Sequence, residues 1–374
     1  MFEAALELRK VHGDDAVCDF SIGNPDLEPP VQFGSVIREI LAEDVPRRHG
    51  YMPNAGYAEV RAVVARWISA RQGVEVDGEH LIMTCGAGGA LNVALKTVLN
   101  PGDRVLVSAP CFMEYRFYAQ NHGGDLTLVP CRDDFDLDPG AFERSIRPDT
   151  AAVLINSPNN PSGRVYPEGT LRALGAMLER RSREIGRTIY LVADEPYRRL
   201  VYDGVTVPSV FAAYPHSLIA SSYSKDLSIP GERIGWLAVS PGAEAHLELV
   251  AGAILCNRIL GYVNAPALMQ RAVARLQNVC VDVRIYQRKR DRLCDALQSA
   301  GYQLVRPQGT FYLFPRAPGG DDLRFVELLE RQLILAVPGR GFSLPGYFRL
   351  AFCVDDAVID RSLRGFREAI RQAG

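Results

Sequence analysis

The 374-residue chain is long enough for one large core or two moderate ones, and its 47% hydrophobic and 23% charged residues suit a globular enzyme. A net charge of −2 lacks the basic footprint that nucleic-acid binding needs, and no apolar run approaches the length of a membrane span. Residues 1–10 place Glu3 and Glu7 where a signal peptide would have its apolar core, so the cytoplasm is the expected compartment.

In chain order, Tyr57, Val60, Val63, Val64, Trp67 and Ile68 recur at helical spacing and read as a core-facing helix stripe, not a ligand platform. The run Thr84, Cys85, Gly86, Ala87, Gly88, Gly89, Ala90, Leu91 opens another helix. From about residue 80 to 240, short β-branched runs at 104–107, 152–155, 189–193 and 218–220 alternate with helical periodicity, the pattern of a parallel sheet covered by helices on both faces. Arginine-rich stretches at 180–187 and 284–292 read as solvated helix faces. Residues 265–300 read as one long helix, followed by short strands at 302–306, 310–314, 333–337 and 347–352 and a closing helix after Asp355. The predicted division is an N-terminal arm with part of a small domain over 1–45, a large domain over 46–260, and a small C-terminal domain with a long connecting helix over 261–374. Eight cysteines show no C-x-x-C spacing and no histidine grouping, so they read as reduced, mostly buried apolar residues, and no metal is expected.

The unusual residues cluster just after predicted strands: Cys111-Phe112, the N-S-P-N-N-P-S-G run 156–163, Asp194-Glu195-Pro196-Tyr197, and Ser222-Tyr223-Ser224-Lys225. In an open parallel sheet the carboxyl ends of the strands form the ligand crevice. Lys225 carries most weight, being one of four lysines among 42 basic residues. Lysine, unlike arginine, loses its proton when desolvated and then attacks a carbonyl as a free amine. Ser222 and Lys225 also spell the S-x-x-K of penicillin-binding proteins and serine β-lactamases, but the S-D-N and K-T-G partners of that chemistry are missing. Small residues from Gly86 to Gly89 at a helix start let backbone N–H groups approach an anion, with phosphate the natural guest. Asp194 ends an apolar strand that holds no arginine, and a ligand's protonated ring nitrogen would serve as its cationic partner. Asn160 sits in a rigid polar turn where its amide can hold a ligand oxygen. Singly, these features also suit a helix start or a structural cap. Together, with Phe112 able to stack on a ring, they describe a pyridoxal phosphate site.

On these residues the chain resembles the class I/II aminotransferases of the aspartate aminotransferase superfamily (fold type I) over nearly its whole length. The similarity runs through Ser21-Ile22-Gly23-Asn24-Pro25-Asp26, Tyr51 with Gly56 and Arg61, the Gly86 turn, Ala109-Pro110-Cys111-Phe112, the segments 156–163, 194–197 and 222–225, and Tyr347-Phe348-Arg349-Leu350. The resemblance implies an α/β fold with a mainly parallel seven-stranded sheet between helices, and a smaller α+β domain formed by both termini. It implies pyridoxal 5′-phosphate as cofactor, held as an imine by Lys225, with Asp194 on the ring nitrogen, and Tyr197 and Asn160 on the ring oxygen. Phe112 would lie on the ring face, and Gly86, Ala87, Gly88, Ser222, Ser224 and Arg233 would surround the phosphate. Arg349 would take the substrate α-carboxylate near Gly23, and Tyr51 would reach the phosphate of the partner subunit in a homodimer with shared sites. Arg258 lies nearly where aspartate aminotransferases carry an arginine that reads a side-chain carboxylate, although Asn264 is one residue further on than in them; bridging subunits or facing solvent is the other reading. Gly88-Gly89 stand where many relatives have bulkier side chains, which predicts an open substrate pocket. The expected reaction moves an amino group between an L-amino acid and a 2-oxo acid. The alternative is an elimination, cyclisation or ring-forming reaction on the same cofactor, and a ligand-sensing module is disfavoured by the retained nucleophile.

Overall fold

The computed structural model describes residues 8–373; residues 1–7, which carry part of the signal-peptide reading, lie outside the described residues. After a two-residue strand, β1 (Cys18–Asp19), the chain builds a seven-stranded sheet from β2 (Leu81–Thr84), β3 (Arg104–Ser108), β4 (Asp125–Val129), β5 (Thr150–Asn156), β6 (Tyr190–Asp194), β7 (Ser217–Ser222) and β8 (Gly235–Val239). The order is β2-β8-β7-β6-β5-β3-β4, with β8 antiparallel to both neighbours and the other pairs parallel. Alternate residues along a strand enter opposite cores, as a period of two requires. In β5, Val153 and Ile155 join a core with helices Ala58–Gln72 and Glu168–Ile185, while Ala152 and Leu154 face helices Gly86–Val98 and His246–Ile259. Burial on both faces explains why these strands read as unbroken apolar runs.

The predicted stripe on helix Ala58–Gln72 is realised at five of its six positions: Val60, Val64 and Ile68 are buried, with Tyr57 and Trp67 packed against the same core, while Val63 is only half-buried and outside it. Strand polarity then gathers the polar segments at one edge. Asn156, last in β5, pairs with Asp194, last in β6, and Asp194 pairs with Ala220 of β7. Because β8 runs antiparallel, its first residue Gly235 lies opposite both Ser222 and Thr84, the last residues of β7 and β2. The Gly86 turn therefore arrives beside Ser222.

The remaining segments form a second core, in which Cys18 and Phe20 pack with residues from 281 to 369 and with Tyr197, Leu200 and Tyr202 that follow β6. It contains β9 (Tyr312–Leu313), β10 (Ile334–Leu335), β11 (Val337–Pro338) and β12 (Phe348–Ala351). β1 pairs in parallel with β10, and β11-β12-β9 form an antiparallel sheet. Helix Asp356–Ala373 closes the chain.

Three expectations are corrected. The long helix over 265–300 is two helices, Ala267–Arg275 and Val283–Ser299. The intervening backbone is held by long-range partners: Arg199 donates to the carbonyl of Val279, and Val281 N–H donates to the Asp226 carbonyl at 2.8 Å. Residues 302–306 form no strand; Gln303 makes a single backbone bond from Arg316, and Arg306 turns to Asp291 and Asp295 on helix Val283–Ser299. The basic stretch at 284–292 is not uniformly solvated. Lys289 is buried against Asp26, and Arg290 is buried against Asp203 and Asp291, with its guanidinium 4.7 Å from the Tyr202 ring centroid. Among the described residues no helix is long and apolar enough to cross a membrane.

Candidate active site

The polar segments surround a cavity of about 370 Å³ at the carboxyl ends of the parallel strands. Lys225 follows β7 and points its Nζ at the Gly23 carbonyl, 2.9 Å away, above the ring of Phe311. Burial lowers its pKa from 10.5 to about 8, with further lowering by Arg233 and Arg349, so a neutral amine is accessible near physiological pH. Gly23 has no room for a side chain, since a Cβ would stand 1.9 Å from the Tyr312 hydroxyl.

Asp194 closes β6 almost fully buried. Its Oδ2 accepts a 2.6 Å hydrogen bond from Tyr115, but Oδ1 is buried with no partner. Burial pushes its carboxyl up to about 7, against the pull of the Tyr115 bond. A buried carboxylate with one oxygen unpaired is costly unless a cation arrives. Tyr197 lies 3.1 Å, hydroxyl to hydroxyl, from Tyr312.

Arg349, on β12, is carried into the cavity from the second core. It donates to the Ser21 carbonyl at 2.6 Å and to Asn160 Oδ1 at 3.2 Å, its guanidinium lies over Tyr312 and Phe342, and its Nε is buried without a partner. No carboxylate neutralises it by direct contact among the described residues, so it is free to receive one.

The phosphate candidates meet at the β2–β7–β8 edge. Ala87, Gly88, Ser222, Ser224 and Arg233 all line the cavity. Gly86 adopts φ 76°, a conformation that favours glycine, and a Cβ there would stand 2.8 Å from Arg233 Nη2, so a side chain would also displace that guanidinium. Phe112 lines the wall and packs edge-on against Tyr115 at 5.6 Å.

A family model described as aminotransferase class I and II matches residues 15–366. The chain belongs to the class I and II aminotransferases. A probable aspartate/prephenate aminotransferase of Thermus aquaticus is 32% identical to it, over 98% of this chain and 94% of the relative. An amino transferase of Eubacterium rectale superposes with a TM-score of 0.97 at 37% identity, covering 100% of this chain and 94% of that one. A single-mutant aspartate aminotransferase of Thermus thermophilus gives 0.87 at 28% identity, covering 98% and 95%. This aminotransferase is therefore a pyridoxal phosphate-dependent transaminase with the α/β architecture of fold type I.

The residues present fit that cofactor. The unpaired Asp194 oxygen matches a protonated ring nitrogen, and the side-chain-free strip at Gly86 and Gly88 beside Arg233 matches a phosphate. Three predicted residues of the aminotransferase do not line the cavity: Gly86 sits behind the Arg233 guanidinium, Tyr51 is 93% exposed, and Arg258 is exposed on helix His246–Ile259. Sequence reasoning missed Tyr115, Tyr118 and Tyr312. The spacing of Tyr115 three residues after Phe112 at a helix start was the available signal for the first. Tyr312 carried none, because its partners Tyr197 and Gly23 are more than a hundred residues away in the chain.

Proposed function

We propose that this aminotransferase carries an amino group from an L-amino acid to a 2-oxo acid, with Lys225 moving the proton at the substrate α-carbon. The observation that supports this most is a pair of opposed perturbations in one cavity, a lysine driven toward its free amine and a buried aspartate lacking a cation. Pyridoxal phosphate, when bound, supplies an aldehyde that exchanges amines and a ring that draws electrons from the substrate α-carbon. Lys225 holds the aldehyde between turnovers, then acts as general base and acid. Asp194 keeps the ring nitrogen protonated, with Tyr115 fixing the carboxylate in place. Tyr197 and Asn160 hold the ring oxygen, and Phe112 lies against the ring. Gly86, Ala87, Gly88, Ser222, Ser224 and Arg233 hold the phosphate. Arg349 orients the α-carboxylate with a planar fork beside Gly23 and Asn160.

The working form in this reading is a homodimer with shared sites, located in the cytoplasm. The exposed Tyr51, and Leu255 and Ile259 exposed on the helix that carries Arg258, support an interface that hands Tyr51 to the partner's phosphate; Arg258 reaches a substrate only across the same interface. All eight cysteines are free, which supports a reducing compartment. A large domain over 46–260 with small-domain parts at 1–45 and 261–374 is supported by the core that joins Cys18 and Phe20 to the C-terminal residues, which meets the large domain through Tyr197, Leu200 and Tyr202.

The test is a half-reaction. Adding an amino acid to purified holoenzyme should bleach the visible absorbance, and adding a 2-oxo acid should restore it. Release of ammonia without restoration would replace transamination with elimination.

A further inference from the structure

Tyr312 has no role in the assignments above, yet its side chain touches groups at opposite ends of the cavity. It lies on β9, almost fully buried, and lines the cavity. Its hydroxyl stands 3.1 Å from that of Tyr197, and the same oxygen fills the place of a Cβ on Gly23, whose carbonyl accepts from Lys225. Its ring lies under the Arg349 guanidinium, 4.5 Å from the central carbon to the ring centroid. The ring is held edge-on by Phe311 at 5.0 Å and by Tyr197 at 5.8 Å. β9 pairs with β12, Leu313 opposite Leu350, so Tyr312 and Arg349 come from neighbouring strands.

A phenol has one proton to give and an oxygen that can accept another. Burial pushes the pKa of both phenols up, so both keep their protons near neutral pH. Among the described residues, no other group shares a hydrogen bond with either hydroxyl. On the transaminase reading proposed above, on which this inference rests, Tyr197 gives its one proton to the ring oxygen of the cofactor. The bond between the two phenols then runs from Tyr312 to Tyr197. Donation into the Tyr197 oxygen polarises its O–H and strengthens the next bond in the chain. At the other end, a guanidinium over an aromatic face is attracted by the ring quadrupole, and Arg349 has Phe342 as a second ring at 4.7 Å. We propose that Tyr312 is a positioning residue shared by cofactor and substrate: its hydroxyl aims the Tyr197 proton at the ring oxygen, and its ring holds the Arg349 fork in place for the α-carboxylate.

The first test reads the resting holoenzyme, with no amino acid added. The visible absorbance of the cofactor held on Lys225 changes as the Lys225 nitrogen loses its proton, and the negative ring oxygen helps to keep that proton in place. A donor at the ring oxygen disperses the charge, so weakening the donor raises the midpoint. Tyr312→Phe, which keeps the ring, should raise the midpoint by about 0.3–1 pH unit, within the reach of one neutral hydrogen bond. In a Tyr197→Phe background the same substitution should add nothing, because the route through Tyr197 is gone. A difluorotyrosine placed at position 312, a stronger donor of nearly the same shape, should lower the midpoint instead. An unmoved midpoint in Tyr312→Phe, or an equal shift in both backgrounds, overturns the role of the hydroxyl. Failure of the difluorotyrosine to lower the midpoint overturns it as well, even if the Phe variant does not fold. The second test is the half-reaction with L-alanine, L-aspartate and L-phenylalanine. Tyr312→Leu, which removes the ring, should weaken the apparent affinity for each donor about threefold to tenfold beyond Tyr312→Phe. Equal affinities in the two variants overturn the role of the ring. If no donor reacts, the transaminase reading fails, and the midpoint still decides whether Tyr312 acts on the cofactor.

Discussion

At the scale of single residues, Asp194 and Lys225 are perturbed in opposite directions by the same burial, and each shift has a measurable sign. The Asp194 carboxyl titrates at about 7 when folded against 3.8 for an ordinary aspartate, so the folded apoprotein holds that proton more tightly than the unfolded chain. Its contribution to stability is present at low pH and is lost as pH rises through about 7. The apoprotein Tm should therefore fall between about pH 5 and 7.5 more steeply than that of Asp194→Asn. Glu195 and Asp226 are shifted in the same direction and are common to both proteins, so the difference reports Asp194 together with its coupling to the neighbouring Glu195 charge. Parallel pH profiles would refute the assignment. For Lys225 the amine form emerges above about 8, so the rate of cofactor capture by apoprotein should rise with pH around that midpoint. Lys225→Ala should lose the borohydride-reducible absorbance, and a midpoint near that of a free lysine would contradict the burial argument.

At the scale of elements, the carboxyl edge works because β7, β8 and the Gly86 turn touch through bare backbone. A Cβ on Gly235 would stand 2.4 Å from the Ser221 carbonyl oxygen and 2.8 Å from the Gly86 carbonyl carbon. Gly235→Ala must push the turn away from Ser222, at a cost of about 1–3 kcal/mol for overpacking. The expected outcome is a lower Tm together with cofactor affinity weakened by about tenfold or more, since displaced N–H groups no longer converge on the phosphate. Gly231 is the control, because a Cβ there would meet nothing within 4 Å, and Gly231→Ala should change neither quantity much. Equal behaviour of the two variants would remove the backbone contact from the account. The break at 276–282 belongs to the same scale: Arg199, Asp226 and Tyr223 hold this segment through Val279, Val281 and Gln277, and two of these partners, Tyr223 and Asp226, flank Lys225 in the chain.

At the scale of the whole molecule, the cavity is a seam. Lys225 comes from the central sheet, Arg349 from β12 in the second core, and Gly23 from the N-terminal segment. The proposed dimer adds Tyr51 from the partner, which yields a complementation test. Lys225→Ala and Tyr51→Ala dimers, each poorly active, should regain activity on subunit exchange, because each hybrid contains one site with both wild-type groups. Activity no higher than the sum of the parents would place Tyr51 outside the shared site.

The sequence by itself determined the parallel sheet, the helix stripe at Tyr57 to Ile68, and the positions of Lys225, Asp194, Asn160 and Arg349. For the sheet, the helix stripe, Lys225, Asp194 and Asn160 these are local signals, in which apolar periodicity fixes the element and an unusual polar residue after a strand marks the crevice; Arg349 was legible only through the resemblance to the aminotransferase family. Tertiary structure alone decided the features whose cause lies far along the chain. Tyr115 became the partner of Asp194 79 residues away, and Tyr312 excluded any side chain at Gly23. Lys289 and Arg290, charged residues in a basic run, were buried because Asp26 and Asp203 are folded against them. Helix propensity over 265–300 yielded to Arg199 and Asp226, whose hydrogen bonds to the backbone outweigh the lost helical turns. Burial without a partner, as at Asp194 Oδ1, is likewise a property of the folded surroundings, since any carboxylate in an extended chain is paired with water.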